Sequence, residues 1–340
     1  MSDASPDNEF GFELRTCEWA ERNWHPVEGD RPAVIARQLG TRDRRWDTVV
    51  VEVDPDGLAA RRAFGRRHLD SDLLHVVRNA PAEWAWYRDA LPEPDYPWRH
   101  VREAVHRAAD RDLVETRRDG NRVLLHRKRP YPEWVRRIVA VENKPDLDAS
   151  AARVLADQLQ RDVAVGLADE VWLATERTGE RVEPALLSDL PPAVGILVVE
   201  YPDADVEWLP TSLSVDRPGT RILNRPDDDR SAARFEYVDP DWKHEKRLEL
   251  AERAYERGWR RYAEAMRPDC RHFRLRREGR LLAPWCAAKE RAQTGRECAG
   301  SCPDFEPEPP AWRQREWPLA GGPGRAIERL LRRRRERRRP

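Results

Sequence analysis

The chain alternates short apolar runs with long charged stretches, and regular structure is expected where the apolar runs fall. Residues 9–25 set Phe12, Trp19 and Ala20 among charged positions, the pattern of an amphipathic helix. Residues 33–39 follow as a strand. The polar stretch 40–45 then turns the chain into Trp46-Asp47-Thr48-Val49-Val50-Val51-Glu52-Val53, a second strand with a buried centre. Asp54-Pro55-Asp56-Gly57 stops it. Helical stretches are expected near 58–66, 70–78 and 81–90, and again over 97–109, where Trp98, Val101, Val105 and Ala108 share one face. Two short apolar runs, 113–116 and 123–126, flank Asp119-Gly120, which predicts a hairpin. The run Ile138-Val139-Ala140-Val141-Glu142-Asn143-Lys144 is a third core strand. Residues 148–168 form a helix with Val154, Leu155, Leu159, Val163 and Leu167 on one face. Strands are expected at 170–175 and 195–200, and a helix over 241–266. A segment poor in periodic structure follows, and Gly321-Gly322-Pro323-Gly324 links it to a tail.

At 340 residues the chain exceeds one ordinary core, so two domains or one with a large insertion is the expectation. The pattern divides into a first part of an α/β core (9–56), an inserted module (57–130), a second part of the core (131–210), a helix with a cysteine-rich segment (241–310), and a basic tail (321–340). Helices followed by a hairpin resemble a winged helix, with Arg117, Arg118, Arg122, Arg127 and Lys128 on or near the wing as candidate nucleic-acid contacts. An ordinary helical insertion carrying a solvated basic hairpin fits the same pattern.

Charge sharpens the picture. Sixty-two basic residues balance sixty-two acidic ones, but residues 325–340 alone hold nine arginines and two glutamates. An arginine arm after a flexible linker suits non-specific, salt-sensitive phosphate contacts. A high-salt cytoplasm would screen those contacts, which counts against the arm as the main binding element. The composition fits a salt-adapted or a GC-rich source. No run approaches the length of a membrane span, and no signal pattern opens the chain, so a cytoplasmic protein is expected.

Only five of the basic residues are lysines, and one of them, Lys144, ends the third core strand two residues after Glu142. Lysine is a compact point charge whose pKa shifts readily, which arginine cannot match in a confined site. Residues i and i+2 share a strand face, so Glu142 and Lys144 are expected side by side. Asp47 and Glu142 on neighbouring strands would supply hard oxygen ligands for Mg²⁺ or Mn²⁺. Glu-x-Lys alone is weak, and Asp241-Trp242-Lys243, with no apolar strand before it, is a decoy.

Four of the five cysteines, Cys270, Cys286, Cys298 and Cys302, fall in the C-terminal segment, separated by fifteen, eleven and three residues. Four thiolates suit Zn²⁺ or an iron–sulfur cluster, and unligated reduced thiols are the remaining reading. Cys17, in the first helix, reads as a core residue.

The order helix, two strands, third strand, helix, strand, with Asp47 and Glu142-Asn143-Lys144 where they stand, resembles the PD-(D/E)XK nuclease superfamily. The resemblance implies a restriction-endonuclease-like αβββαβ core over roughly residues 9–210. It implies metal-dependent hydrolysis of DNA phosphodiesters by Asp47, Glu142 and Lys144. Glu13 matches the acidic residue of the opening helix, ahead of Glu18 and Glu21. Gln158, ahead of Gln160, matches a glutamine that exonuclease-like members carry, whereas the tyrosine some members place four residues on is Asp162 here. Some members close a [4Fe–4S] cluster from one N-terminal and three C-terminal cysteines, which gives Cys17 a second reading. The whole chain also resembles a haloarchaeal family to which no activity is attached. A nucleic-acid-binding regulator on an inactive nuclease fold is the rival reading.

Overall fold

The computed structural model describes residues 9–42, 44–94, 96–176, 188–224, 234–264, 270–278, 281–294, 297–298 and 302–307. The arginine tail therefore lies outside the described residues. The chain is mixed α/β, built on a six-stranded mixed sheet. Its elements are α1 (Glu9–Asn23), β1 (Ala33–Gly40), β2 (Arg45–Val53), β6 (Val135–Asn143), α6 (Ala149–Val165), β7 (Glu170–Thr175), β8 (Val194–Glu200) and β9 (Asp203–Trp208). The spatial order is β1-β2-β6-β7-β8-β9. Pairs β1–β2, β2–β6 and β8–β9 are antiparallel, and β6–β7 and β7–β8 are parallel.

Alternation along β2 and β6 explains the layers. Val51, Val53, Ile138 and Ala140 face one way and meet Leu159 of α6 with Leu250 and Ala254 of α7 (Pro240–Arg257). Val50, Val139 and Val141 face the other way and meet Phe12, Leu14, Cys17 and Trp19 of α1. The sheet is thus buried on both sides, which is why its central strands read as continuous apolar runs. Asp148 caps α6 by accepting from the Ala151 N–H at 2.7 Å, and Gly166, at φ 57°, ends it in the left-handed conformation a glycine adopts without strain.

Between β2 and β6 the chain builds a separate unit around its own buried cluster, which includes Leu69, Val76, Val101, Val105 and Leu125. It comprises α2 (Pro55–Arg61), α3 (Ser71–Asn79), β3 (Ala85–Trp86), α4 (Tyr87–Ala90), α5 (Trp98–Asp110), β4 (Val114–Asp119) and β5 (Arg122–Arg127). The strand order is β3-β5-β4. The Asp119↔Arg122 register makes Gly120 and Asn121 the turn, one residue later than Asp-Gly suggested. The helix expected over 81–90 is instead a short strand and one helical turn. Trp84 and Trp86 alternate as strand residues do, and their rings take Arg117 and Arg122 at 4.5 and 4.8 Å.

The helix expected over 241–266 ends at Arg257, and Gly258 separates it from a 3₁₀ turn over Trp259–Glu264. The decoy Asp241-Trp242-Lys243 lies in its first turn, where Lys243 is buried and donates to the Ser214 and Arg217 carbonyls at 2.9 Å each. Beyond the expected strands stand a hairpin of β10 (Gly219–Asn224) and β11 (Arg234–Val238), and a three-stranded sheet of β12 (Phe273–Glu278), β13 (Leu281–Cys286) and β14 (Arg291–Ala292). The cysteine segment is therefore more regular than its pattern implied. None of the described helices is long and apolar enough to cross a membrane.

One buried ion pair ties the inserted unit to the core. Arg61 of α2 and Glu252 of α7 are both 0% exposed and pair through two guanidinium nitrogens. Glu252 also accepts from Tyr131 Oη at 2.6 Å and the Leu69 N–H at 2.8 Å, and Arg61 donates to the Gly65 and Arg67 carbonyls. Arg61→Ala leaves a buried carboxylate without its cation, so a loss of about 3–5 kcal/mol is expected in urea denaturation. The double change Arg61→Met with Glu252→Leu should cost clearly less than Arg61→Ala alone. Equal costs would show that the pair's charge is not what the single change exposes.

Candidate active site at the strand ends

Strand register assembles the site. Arg37 pairs with Thr48 and Leu39 with Trp46, so Gln38 of β1 stands opposite Asp47 of β2. Thr48 pairs with Val141, so one step further along Asp47 stands across from Glu142 of β6. The row lies where β6 and β7 run out at their carboxyl ends, the edge at which open α/β sheets bind ligands. Asp47 accepts from Gln38 Nε2 at 2.9 Å and from the Asn143 N–H at 3.1 Å. Glu142 accepts from Gln158 Nε2 of α6 at 2.6 Å and from Arg44 Nη2 at 2.8 Å.

A third carboxylate joins from α1. Glu13 accepts from Arg37 Nη2 at 2.6 Å and from Gln38 Nε2 at 2.8 Å, so the Gln38 amide bridges Glu13 and Asp47. Gln38 holds this place at φ 53°, a left-handed conformation unusual for a residue other than glycine. Glu18 and Glu21 point elsewhere, to Arg22 and Arg260. Asp162, buried on α6, accepts from Arg44 Nε at 3.1 Å, so one guanidinium serves Glu142 and Asp162 together. Cys17 sits 3.3 Å from Thr48 Oγ1 and is wholly buried.

The electrostatics follow from crowding acids in a dry place. Burial, and then the charge of Asp47, pushes Glu142 up to about 7, against the pull of Arg44 and Gln158. Burial raises Glu13 and Asp162 as well, with Arg37 and Arg44 opposing. Burial, with Glu13 nearby, pushes the Cys17 thiol up to about 12, so it stays an inert thiol. Negative charge here exceeds what the neighbouring arginines balance.

Lys144 turns its ammonium to acids other than Glu142. β6 ends at Asn143, and the Lys144 N–H still donates to the Ala174 carbonyl of β7 at 2.8 Å. Its ammonium lies 3.1 Å from Asp146 and 3.9 Å from Glu9, at 28% side-chain exposure, rather than beside Glu142. Those exposed pairs hold a flexible side chain weakly. Arg44, Gln38 and Asp162 were missed in the sequence. Arg44 stands three residues before Asp47, and Gln38 is the one uncharged polar residue of β1.

Two carboxylates suffice from the protein for Mg²⁺ or Mn²⁺, which keep several waters, and Asp47 with Glu142 fits that donor set. Among the described residues, no three His, Cys, Asp or Glu side chains stand where one ion would take them all. The four C-terminal cysteines are free thiols gathered in one neighbourhood. Ala287 N donates to the His272 carbonyl, setting Cys286 beside the turn at Cys270, and Cys270 bridges Pro307. Burial, then the charges of Cys286, Cys302 and Cys270, pushes Cys298 up to about 11. They are neighbours without forming a finished tetrahedral site. On the inserted unit, Arg117 and Arg122 share the outer face of β3-β5-β4 with Trp84 and Trp86, Arg118 lies on the opposite face, and Lys128 pairs with Asp112.

The raised Glu142 makes a signed prediction. Its folded pKa exceeds its unfolded value, so the unfolded chain releases that proton first and stability falls as pH climbs from about 4.5 to about 7. Glu142→Gln should therefore be more stable than wild type at pH 8, by on the order of 1–3 kcal/mol, and should gain nothing at pH 4. Millimolar Mg²⁺ should stabilise the wild type at pH 8 and leave Glu142→Gln unmoved in thermal melts. A pH-independent difference would remove Glu142 from the group of opposed charges.

No characterised protein and no solved structure matches this chain. A protein-family model described as a family of unknown function (DUF5787) matches residues 34–307, a span that includes all but the first residue of β1, with β2, β6, α6 and all four C-terminal cysteines. The chain belongs to that family.

Proposed function

We propose that this protein is a metal-dependent nuclease that hydrolyses DNA phosphodiesters at Asp47 and Glu142. One observation carries the reading. Two carboxylates 95 positions apart in the chain come to adjacent strands at one sheet end, and Gln158 of the following helix sits on the second. The order α1, β1, β2, β6, α6, β7 supports a restriction-endonuclease-like core, and the β3-β5-β4 sheet behind α5 supports a winged-helix insert.

Asp47 and Glu142 would hold the ion. A divalent ion there supplies a water of lowered pKa and neutralises charge on the scissile phosphate. The Asn143 N–H and Gln38 fix the Asp47 carboxylate, and Gln158 fixes Glu142, so neither ligand reorganises during the reaction. Glu13 keeps Gln38 in place from the other side. Lys144, on a long stem and loosely held, swings onto the phosphate and stabilises the charge that develops there.

Labelled linear, circular and single-stranded DNA, incubated with Mg²⁺, Mn²⁺ or EDTA at several salt concentrations, tests the reading. Lys144→Ala should lower cleavage by about 10²–10⁴-fold while DNA affinity stays within a few-fold, and Lys144→Arg should be nearly as damaging. Full activity in Lys144→Ala would move the chemistry elsewhere. The second reading, a DNA-binding regulator, is favoured by the outer face of the insert, where Arg117 and Arg122 lie over tryptophans. Tight binding with no cleavage under any cation would select it.

We also propose that the cysteines bind a structural metal as the segment folds, zinc in the first instance, with Cys270, Cys286, Cys298 and Cys302 as ligands. Their convergence supports this. Elemental analysis should find one zinc, or about four irons with a brown colour if a [4Fe–4S] cluster is bound. Chelation should open protease sites within residues 267–306 while residues 9–210 stay resistant. Metal-free protein with an unchanged digestion pattern would make the cysteines ordinary packing residues.

A further inference from the structure

A cavity of about 1170 Å³ opens beside Glu142, between the β1–β2 turn, α6, α7, β10 and the start of α3. Arg44, Gln158 and Asp162, the three side chains that hold or flank Glu142, form part of its wall. Its volume exceeds the roughly 300–1,000 Å³ of small-ligand sites, and it runs over several elements rather than closing on one.

Two kinds of surface meet in it. Arg42, Arg45 and Arg161 line it and are exposed. Of the acids in the wall, Asp162 is engaged with Arg44, Asp70 with Arg107, and Glu249 with Lys246, and these three with Asp157 are outnumbered by Arg42, Arg44, Arg45, Arg161, Arg221, Lys246 and Arg253. The cationic character therefore remains for an incoming anion. Apolar groups share the same wall, with Val154 75% exposed, Leu223 47% exposed and Trp242 half-buried. The hairpin that supplies Leu223 carries more. Ile222, also in the wall, pairs with Phe235, and Thr220 pairs with Tyr237, which sets both rings on the Ile222 face of the ribbon. Phe235 and Tyr237 are 53% and 75% exposed, with ring centroids 5.6 Å apart. Phe235 and Tyr237 lie outside the cavity wall, and exposed apolar groups gathered along one ribbon face mark an interaction surface.

We propose that this groove takes a single-stranded polynucleotide and leads it to Glu142, with phosphates on Arg42, Arg45 and Arg161 and bases against Leu223, Phe235 and Tyr237. Regular phosphates suit the arginines, and unpaired bases offer flat faces to the apolar groups. A duplex hides those faces inside its own stack. The direction of travel rests on the nuclease reading, whereas the binding does not.

Fluorescence anisotropy of the full-length protein in EDTA tests the binding without catalysis. The probe is a fluorescein-labelled DNA strand of about fifteen nucleotides, alone or annealed to its complement. The single strand should bind at least about ten-fold more tightly than the duplex. Arg42→Glu with Arg45→Glu should weaken single-strand binding and flatten its salt dependence by roughly 0.7 in log–log slope per lost phosphate. Phe235→Ala with Tyr237→Ala should weaken it at least about five-fold and leave that slope unchanged. Both pairs are exposed, so unchanged melting curves would show the variants folded. Equal or tighter duplex binding by the wild type, or variants that bind the single strand as the wild type does, would overturn the groove. Single-strand preference in a protein that cleaves nothing would uphold the groove and sink the nuclease. Cleavage by a protein that prefers the duplex would do the reverse.

Discussion

Three carboxylates from α1, β2 and β6 are held at one end of a buried sheet, and much of the local structure follows from balancing them. Charge in such a place is costly unless paired and hydrogen-bonded. Arg37 and Gln38 answer Glu13, Gln38 and the Asn143 N–H answer Asp47, and Arg44 and Gln158 answer Glu142. The balance is incomplete, and Glu142, pushed up to about 7, carries the remainder. A purely structural cluster would do better with one acid fewer. The proposed divalent ion would supply the missing positive charge.

The rest of the molecule is arranged around that end. Two helical layers bury the sheet and fix α6 so that Gln158 and Asp162 face β6 and the Arg44 turn. The inserted unit, with its own core, is locked to α7 by Arg61 and Glu252, which brings the start of α3 to the wall of the groove. The β10–β11 hairpin closes the other side.

Much of this was legible in the sequence because burial writes continuous apolar runs into strands. The runs 46–53 and 138–144 marked β2 and β6 and so brought Asp47 and Glu142 forward. Gln158 was brought forward by the resemblance to exonuclease-like nucleases rather than by the pattern itself. What escaped depends on register and local geometry. Gln38 reaches both acids only because of a left-handed backbone, and Arg44 acts from a turn. The Lys144 ammonium pairs with Asp146 and Glu9, which no apolar count reveals. The strand at Ala85–Trp86 was hidden in a stretch of mixed propensity, although the Trp84/Trp86 alternation carried a trace of it. The β10–β11 hairpin was missed, although Phe235 and Tyr237 alternate with Arg234 and Glu236 as strand residues do.

The central claim is that Asp47 and Glu142 hold one divalent ion between them. Electron paramagnetic resonance of Mn²⁺ titrated into the full-length protein at pH 8 measures this directly, since free and bound Mn²⁺ are distinguished. The account predicts one saturable site in the wild type, lost in both Asp47→Asn and Glu142→Gln and retained in Lys144→Ala. Undiminished Mn²⁺ binding in either carboxylate variant, or no saturable binding in the wild type, would contradict it.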